Sequence, residues 1–248
     1  MNEVFILAMP RSASTALQVA LNACSSDLII YGEHFQFLKG LPAHLSNAKC
    51  SVPRFHRPVD TKEDIKNPPT NFPYVHANGV DGGMIVARLK TYIEDTLNPL
   101  RYARWGFKDV SYGFDEGAML LELFPTCKLL LNVRHPADVI ASGIGCCGWP
   151  DWAEDDWFSH WEVQHKAFCA LTKLSARAET VYYEQLVCEP KVIRHLCEWL
   201  ELDSAPAEDF IFSHPKWGPT PESSKPVLSA SIMEKIAVAN YPVRRLCQ

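Results

Sequence analysis

A short apolar segment that breaks into a turn of small and hydroxyl-bearing residues is the feature that most limits the fold of this chain. The segment Val4–Ala8 contains β-branched and aromatic residues and is typical of a buried central strand. The turn Pro10–Thr15 follows it. Apolar residues then recur at helical spacing: Ala16, Leu17, Ala20, Leu21 and Cys24. A strand that leads through such a turn into a helix exposes unpaired helix N–H groups, which favour an anion.

The turn itself carries donors that suit a bound anion. Ser12, Ser14 and Thr15 supply hydroxyls, and Arg11 supplies a permanent, forked cation. The chain lacks GxxxxGK[ST], so the turn is not the Walker A motif of a nucleoside triphosphatase. Because serine and threonine are also favoured at ordinary helix starts, this turn alone does not decide between an anion site and a helix cap.

A second apolar run with a cation at its end lies more than a hundred residues downstream. Cys127–Val133 is predicted as a strand, Arg134 follows it, and Pro136–Gly143 is predicted as a helix. Ser142 stands eight positions after Arg134. In this order, the two stretches are suited to hold the two ends of one doubly phosphorylated nucleotide.

The rest of the chain alternates between short strands and helices. Strands are predicted at Leu28–Tyr31, Trp105–Lys108 and Thr180–Tyr183. Helices are predicted at Trp157–Ser175 and at Val187–Leu200, where Pro190 is tolerated only in the first turn. The alternation predicts an α/β domain over residues 1–248, with a central, mainly parallel sheet flanked by helices. The proline-, asparagine- and glycine-rich region 39–83 is expected to form an irregular insertion or lid that lines an acceptor site.

Composition narrows the partners. The formal net charge is −5 and no basic run is present, so neither nucleic acid nor an anionic membrane is an expected partner. The nine cysteines are scattered without metal-ligand spacing, and the histidines form no HExxH, so no metal is expected. No apolar run approaches the roughly 18 residues that span a bilayer. We expect a soluble, cytoplasmic protein, and the sequence indicates no particular oligomeric state.

The two anion-binding stretches resemble the motifs of bacterial-type sulfotransferases that use 3′-phosphoadenosine 5′-phosphosulfate (PAPS). The family's first loop reads Pro-(Lys/Arg)-Ser-Gly-(Ser/Thr)-Thr, which Pro10–Thr15 matches except that Ala13 replaces the glycine. This resemblance implies a P-loop-like three-layer fold, a loop that holds the 5′-phosphosulfate, and Arg134 and Ser142 on the 3′-phosphate. Arg11 is expected beside the leaving phosphate. At Ala13 we expect a helical φ, because a left-handed φ strains alanine by about 1 kcal/mol.

Two further segments extend the resemblance. Val181–Leu186 is similar to the family's Tyr-Glu-Asp-Leu segment, which implies that Tyr183 lies at the nucleotide. The loop that contains Trp217 and Lys225 falls where the family folds a basic loop over the nucleotide. Lys225 is therefore a candidate for the 3′-phosphate, although an ordinary solvated loop fits the sequence equally well.

The catalytic assignment also follows from the resemblance. Lys108 is similar to the family's second lysine, which touches the sulfuryl group. The histidine base found two positions later in cytosolic small-molecule sulfotransferases is Val110 here. Glu33 is the favoured base, because Gly32-Glu33-His34-Phe35 is similar to the Gly-Glu-Pro-Phe motif of bacterial members. The alternative role of Glu33 is an ion pair with Arg11 or Lys108 that holds these cations in place. His34 and Asp109 are the other candidate bases.

A group of tryptophans is a candidate surface for the acceptor. Trp149, Trp152, Trp157 and Trp161 could stack against an acceptor, but the last two are four residues apart and are expected to pack in the core. No membrane anchor or secretory signal is recognised, and an acidic chain without a basic run is a poor match for a long polyanion, so we expect a small-molecule or sugar-containing acceptor. Two alternatives remain at this point: a kinase-like phosphotransferase with Asp109 on magnesium, and a non-catalytic nucleotide-binding module.

Overall fold

A computed structural model describes residues 3–34, 37–43, 45–46, 82–110, 112–144, 151–213, 227–239 and 241–242. Most of the predicted insertion at 39–83 lies outside these residues. So do Trp149, Trp217 and Lys225, whose predicted roles therefore stay predictions.

The centre of the protein is a parallel sheet. Its five strands are β1 (Glu3–Ala8), β2 (Leu28–Tyr31), β3 (Arg104–Asp109), β4 (Lys128–Val133) and β5 (Ala178–Tyr182). They lie in the order β2-β3-β1-β4-β5, and every neighbouring pair is parallel. Every residue of β1 is buried, as expected for the central strand of a sheet covered on both faces. The predicted α/β fold is confirmed.

Nine helices are described around this sheet. They are α1 (Ser14–Ala23), α2 (Gly82–Leu97), α3 (Phe114–Leu123), α4 (Pro136–Gly143), α5 (Glu154–Leu174), α6 (Tyr183–Cys188), α7 (Pro190–Trp199), α8 (Ala205–Ser213) and α9 (Ala230–Val238). The sequence did not predict α2 or α8. No helix within the described ranges combines the length and the apolar character required to cross a membrane.

The helix predicted at Val187–Leu200 is wrong in its extent. Two helices occupy this region, and the break between them falls at Glu189, which has extended φ and ψ of −124° and 99°. The cause is Pro190, which disfavours a helical conformation at the residue before it and begins α7 as its first residue.

Side chains alternate along the strands and so supply a core on each face of the sheet. Phe5 and Leu7 face the core that includes α5, whereas Val4, Ile6 and Ala8 face the core that includes α1. Trp157 and Trp161 of α5 are 0% and 1% exposed, which confirms that they pack in the interior. The result is three layers, with helices on both faces of the sheet.

One buried side chain of α5 fastens this helix to the edge of the sheet where β1 and β3 end. Gln164 is 4% exposed, and its Nε2 donates to the carbonyls of Ala8 at 2.9 Å and Tyr112 at 3.2 Å. These bonds satisfy carbonyls at the carboxyl ends of neighbouring strands. Ligands of open parallel sheets bind outside this edge.

Candidate active site

The loop between β1 and α1 has an unusual backbone. Arg11 has φ of 60°, and Ala13 has φ of 57° with ψ of 30°. The expected helical φ at Ala13 is therefore wrong. A left-handed conformation costs an L-residue about 1–2 kcal/mol, so the surrounding contacts must hold this loop in shape.

Those contacts come from the loop interior and from the end of β4. Ser12 is fully buried, and its Oγ donates to the Met9 carbonyl at 2.6 Å. Asn132 Nδ2 donates to both the carbonyl and the Oγ of Ser12, each at 3.0 Å. Arg134 Nη1 donates to the Arg11 carbonyl at 3.0 Å. The Ser12 hydroxyl is thus engaged within the protein, where it supports the loop from inside.

The start of α1 lacks a capping side chain. Its N-cap residue is Ala13, whose methyl group accepts no hydrogen bond. Ser14 is buried, whereas the next residue, Thr15, is exposed. The first N–H groups of a helix have no carbonyl partner within the helix, and they lie at the positive end of its dipole. This helix end is therefore suited to an anion.

The fold brings the two predicted anion-binding stretches into contact, although they are far apart in sequence. Arg11 Nε donates to Ser142 Oγ at 3.0 Å, across 131 positions of sequence. Arg134 is 7% exposed, and its guanidinium lies over the Tyr183 ring, 4.7 Å from the ring centre. Arg11, Arg134, Ser142 and Tyr183 therefore surround one region at the carboxyl edge of the sheet.

The segment Val181–Leu186 also contacts this region, through Glu184, for which the sequence predicted no role. Glu184 is 6% exposed, and its Oε1 accepts a hydrogen bond from the His135 backbone N–H at 2.7 Å. A buried carboxylate needs such donors to offset the loss of solvation. The bond ties the start of α6 to the turn after β4.

An ion pair lies at the ends of β2 and β3. Lys108 is 4% exposed, and its Nζ pairs with Oε1 of Glu33, which is an exposed residue. This is one of the two arrangements that the sequence left open for Glu33. Among the described residues, the other oxygen of Glu33 has no hydrogen-bond partner. The pairing is therefore compatible with a carboxylate that also accepts a proton.

The two other candidate bases lie beside this pair. Asp109 is 1% exposed, and its Oδ2 accepts from the His34 backbone N–H at 3.2 Å. The His34 ring meets Phe107 edge to face, and its Nε2 is buried without a partner in the described part of the chain. Burial lowers the pKa of His34, against an opposing effect of Asp109, so its imidazole is neutral near pH 7.

Among the described tryptophans of this group, Trp152 is the one that is half-buried. Its indole lies 5.0 Å from Trp157 and 5.1 Å from the His160 ring, measured between ring centres. Burial lowers the pKa of His160, with a smaller contribution from the charge of Lys39. The aromatic surface formed by Trp152 and His160 therefore lies near Lys39.

A cavity of about 440 Å³ lies away from these residues, along β5 and α7. In the described part of the chain, its lining includes Tyr182, Gln185 and His195 but none of the predicted site residues. Lys191, the cation in this lining, is 81% exposed and paired with Glu189. Because the described lining of this cavity lacks converging buried cations, we place the candidate site at the loop after β1 and not in the cavity.

Comparison with known proteins agrees with this architecture. A model of the sulfotransferase family matches residues 3–206. The sulfotransferase domain from the curacin biosynthetic pathway is similar in structure, with a TM-score of 0.54 and 16% identity over 98% of this chain and 93% of that one. A sulfotransferase from Alicyclobacillus acidocaldarius has a TM-score of 0.51 and 14% identity over 95% and 90% of the two chains.

A third similar structure is the sulfotransferase domain from the Synechococcus PCC 7002 olefin synthase. Its TM-score is 0.50 and its identity 22%, over 98% of this chain and 90% of that one. No curated protein sequence gives a significant match. At these identities the structural likeness establishes the fold, whereas the family match covers most of the sequence. The chain belongs to the sulfotransferase family.

Proposed function

We propose that this protein transfers a sulfuryl group from PAPS to a hydroxyl of a small-molecule or sugar-containing acceptor. The observation that carries the proposal is the convergence of Arg11, Ser142 and Arg134 beside the uncapped start of α1. Two cations and a helix N-terminus in one region suit a nucleotide with phosphate groups at two positions.

Two groups of residues bind the two ends of PAPS. The 5′-phosphosulfate is bound by the N–H groups of Ala13, Ser14 and Thr15, with Arg11 beside the leaving phosphate. The 3′-phosphate is bound by Arg134 and Ser142, with Tyr183 under the guanidinium. Arginine has five N–H donors in a planar fork, and the bond to the Arg11 carbonyl uses one of the donors of Arg134.

The reaction is an in-line displacement at sulfur. The acceptor oxygen forms a bond to sulfur while the bond from sulfur to the 5′-phosphate oxygen breaks, and 3′-phosphoadenosine 5′-phosphate (PAP) leaves. Lys108 and Arg11 stabilise the negative charge that develops on the leaving group. Glu33 takes the proton of the acceptor hydroxyl. The buried position of Lys108 fixes its amine before the reaction, which reduces the reorganisation that charge development would otherwise require.

A small acceptor fits the surroundings of the site. Trp152 and His160 offer an aromatic surface, and the net charge of −5 disfavours a long polyanionic acceptor. One sheet with a core on each face also supports the proposal that residues 1–248 form a single domain.

Calorimetric titration with PAP, 5′-AMP and Mg-ATP tests the proposal. PAP is expected to bind roughly 10- to 100-fold more tightly than 5′-AMP, because charge-assisted hydrogen bonds to the 3′-phosphate contribute about 1.5–3 kcal/mol. Arg134→Ala should remove most of this preference, whereas Arg88→Ala, at an exposed helical position, should retain it.

The alternatives predict other results. Equal or tighter binding of Mg-ATP would indicate a phosphotransferase. An unchanged dissociation constant for PAP in Arg134→Ala would contradict the assigned 3′-phosphate site. Tight PAP binding by a protein that turns over no acceptor would indicate a binding module.

A further inference from the structure

We propose that Tyr241 is a positioning residue for the 3′-phosphate site, holding the Arg134–His135 peptide in place through Glu184. Tyr241 lies beyond residues 3–206, the part of the chain that matches the family model. The inference rests on the proposed function, since it assigns a role at the proposed PAPS site.

The peptide bond between Arg134 and His135 is held on both sides. The Arg134 carbonyl accepts from Trp161 Nε1 at 3.0 Å, and the His135 N–H donates to Glu184 Oε1 at 2.7 Å. Trp161 is 1% exposed and Glu184 is 6% exposed, so both bonds lie in the interior. Hydrogen bonds there are strong, and a group that loses its partner is costly. The orientation of this peptide fixes the direction in which the Arg134 side chain leaves the backbone.

Tyr241 contacts both halves of this arrangement. Its hydroxyl donates to Glu184 Oε2 at 2.6 Å, so each carboxylate oxygen of Glu184 has a donor. Its ring meets the His135 ring at 5.3 Å, nearly perpendicular, and the Trp161 ring at 6.0 Å. Tyr241 therefore contacts Trp161 and Glu184, the two residues that hydrogen-bond to the Arg134–His135 peptide.

The Tyr241 hydroxyl remains a donor at neutral pH. Burial, and then the charge of Glu184, raise the pKa of the phenol well above its ordinary value. A phenol that donates to a carboxylate makes a short, charge-assisted hydrogen bond, which is stronger than a neutral one.

Removal of this hydroxyl should act on the 3′-phosphate alone. Without the phenol, Glu184 Oε2 loses its donor, and the carboxylate is free to rotate away from the His135 N–H. Arg134 would then be held less firmly toward the phosphate. Because 5′-AMP has no 3′-phosphate, its affinity should not change, whereas a general loosening of the fold would weaken both ligands.

The test compares Tyr241→Phe with Tyr182→Phe, using PAP and 5′-AMP as probes. Tyr182 belongs to the same aromatic group, its ring centre 5.5 Å from that of Tyr241, but its hydroxyl makes no bond to Glu184 among the described residues. In Tyr241→Phe we expect PAP to bind roughly three- to tenfold more weakly, with 5′-AMP unchanged. Tyr182→Phe should match the wild type for both. An unchanged ratio of the two affinities in Tyr241→Phe would overturn the proposal.

A second variant keeps the test informative if Tyr241→Phe does not fold. Glu184→Gln has a single carbonyl oxygen for the two donors, so it should show the same selective loss for PAP. The double variant should be little worse than either single variant, since both break one chain of contacts. Additive losses would contradict the proposal. A wild type without any preference for PAP over 5′-AMP would refute the proposed function as well, whereas a preference that survives in both variants would refute this inference alone.

Discussion

Replacement of Ala13 by glycine should stabilise the protein, although glycine usually destabilises the residue it replaces. Ala13 has φ of 57° and ψ of 30°, in the left-handed region. An alanine there carries about 1–2 kcal/mol of steric strain, because Cβ approaches the following carbonyl oxygen. Glycine has no Cβ and is free of this strain. The opposing effect is the greater freedom of glycine in the unfolded chain, about 0.4–1 kcal/mol.

The difference between these two free energies gives the expected change in the free energy of unfolding. Ala13→Gly should raise the free energy of unfolding by about 0.5–1 kcal/mol. In a domain of this size, 1 kcal/mol corresponds to roughly 2–4 °C in Tm, so urea titration monitored by tryptophan fluorescence is the more sensitive measurement.

Ala87→Gly is the matched control for this substitution. Ala87 is exposed within α2, so the same chemical change there should lower the free energy of unfolding by about 1 kcal/mol. The two substitutions are thus expected to have opposite signs. If Ala13→Gly destabilised the protein as much as Ala87→Gly does, the left-handed geometry assigned to the loop would be refuted.

Three other predictions concern packing, catalysis and pH. Gly106→Ala should destabilise the protein by about 3 kcal/mol or prevent folding, because the added Cβ would lie 1.6 Å from the Val4 carbonyl oxygen. Gly32→Ala is the control, since no atom lies within 4 Å of a Cβ added there. Equal urea midpoints for the two variants would argue against the packing of β3 on β1. Glu33→Gln should lower kcat by about 100-fold or more with an unchanged Kd for PAP, and full activity would exclude Glu33 as the base. The half-buried histidines His34, His160 and His165 have pKa values lowered from 6.5 by desolvation, so the unfolded state binds more protons below that pH. Their contribution to stability is complete above pH 6.5 and is lost as the pH falls, so the urea midpoint should decrease from about pH 7.5 to about pH 5.5, and a constant midpoint would contradict this.

The sheet and the two stretches proposed to bind anions could be recognised in the sequence because their signals are local. Val4–Ala8 is a continuous apolar run, and the spacing from Arg134 to Ser142 lies within one segment. Pro190 has a larger effect than a place in the first turn of one helix, which is what the sequence predicts. Pro190 both ends one helix and begins the next, so a single amphipathic pattern corresponds to two helices.

The two helices that the sequence did not predict, α2 and α8, differ in their starting signals. Gly82 begins α2 beside a second glycine, and glycine is among the poorest helix formers. The start of α8 does carry a usable signal: Asp203 and Ser204 precede it, Pro206 stands in its first turn, and Asp203 Oδ1 accepts from the Ala205 N–H at 3.1 Å. This short helix packs against α1 and α7.

The supporting contacts of the site were not predictable because they join distant parts of the chain. The φ of Ala13 depends on how the loop closes between β1 and α1. Asn132 gave a usable signal, since an amide within an apolar strand needs an internal partner, and here the partner is Ser12. The bond from Tyr241 to Glu184 spans 57 positions and has no signature in either segment.

The most direct test of the central claim is a crystal structure of the protein with PAP. The account predicts 5′-phosphate oxygens within about 2.7–3.2 Å of the N–H groups of Ser14 and Thr15, and the 3′-phosphate at the same distance from Arg134 and Ser142. A nucleotide bound in the cavity along β5 and α7, or a 3′-phosphate that points into solvent away from Arg134, would contradict the account.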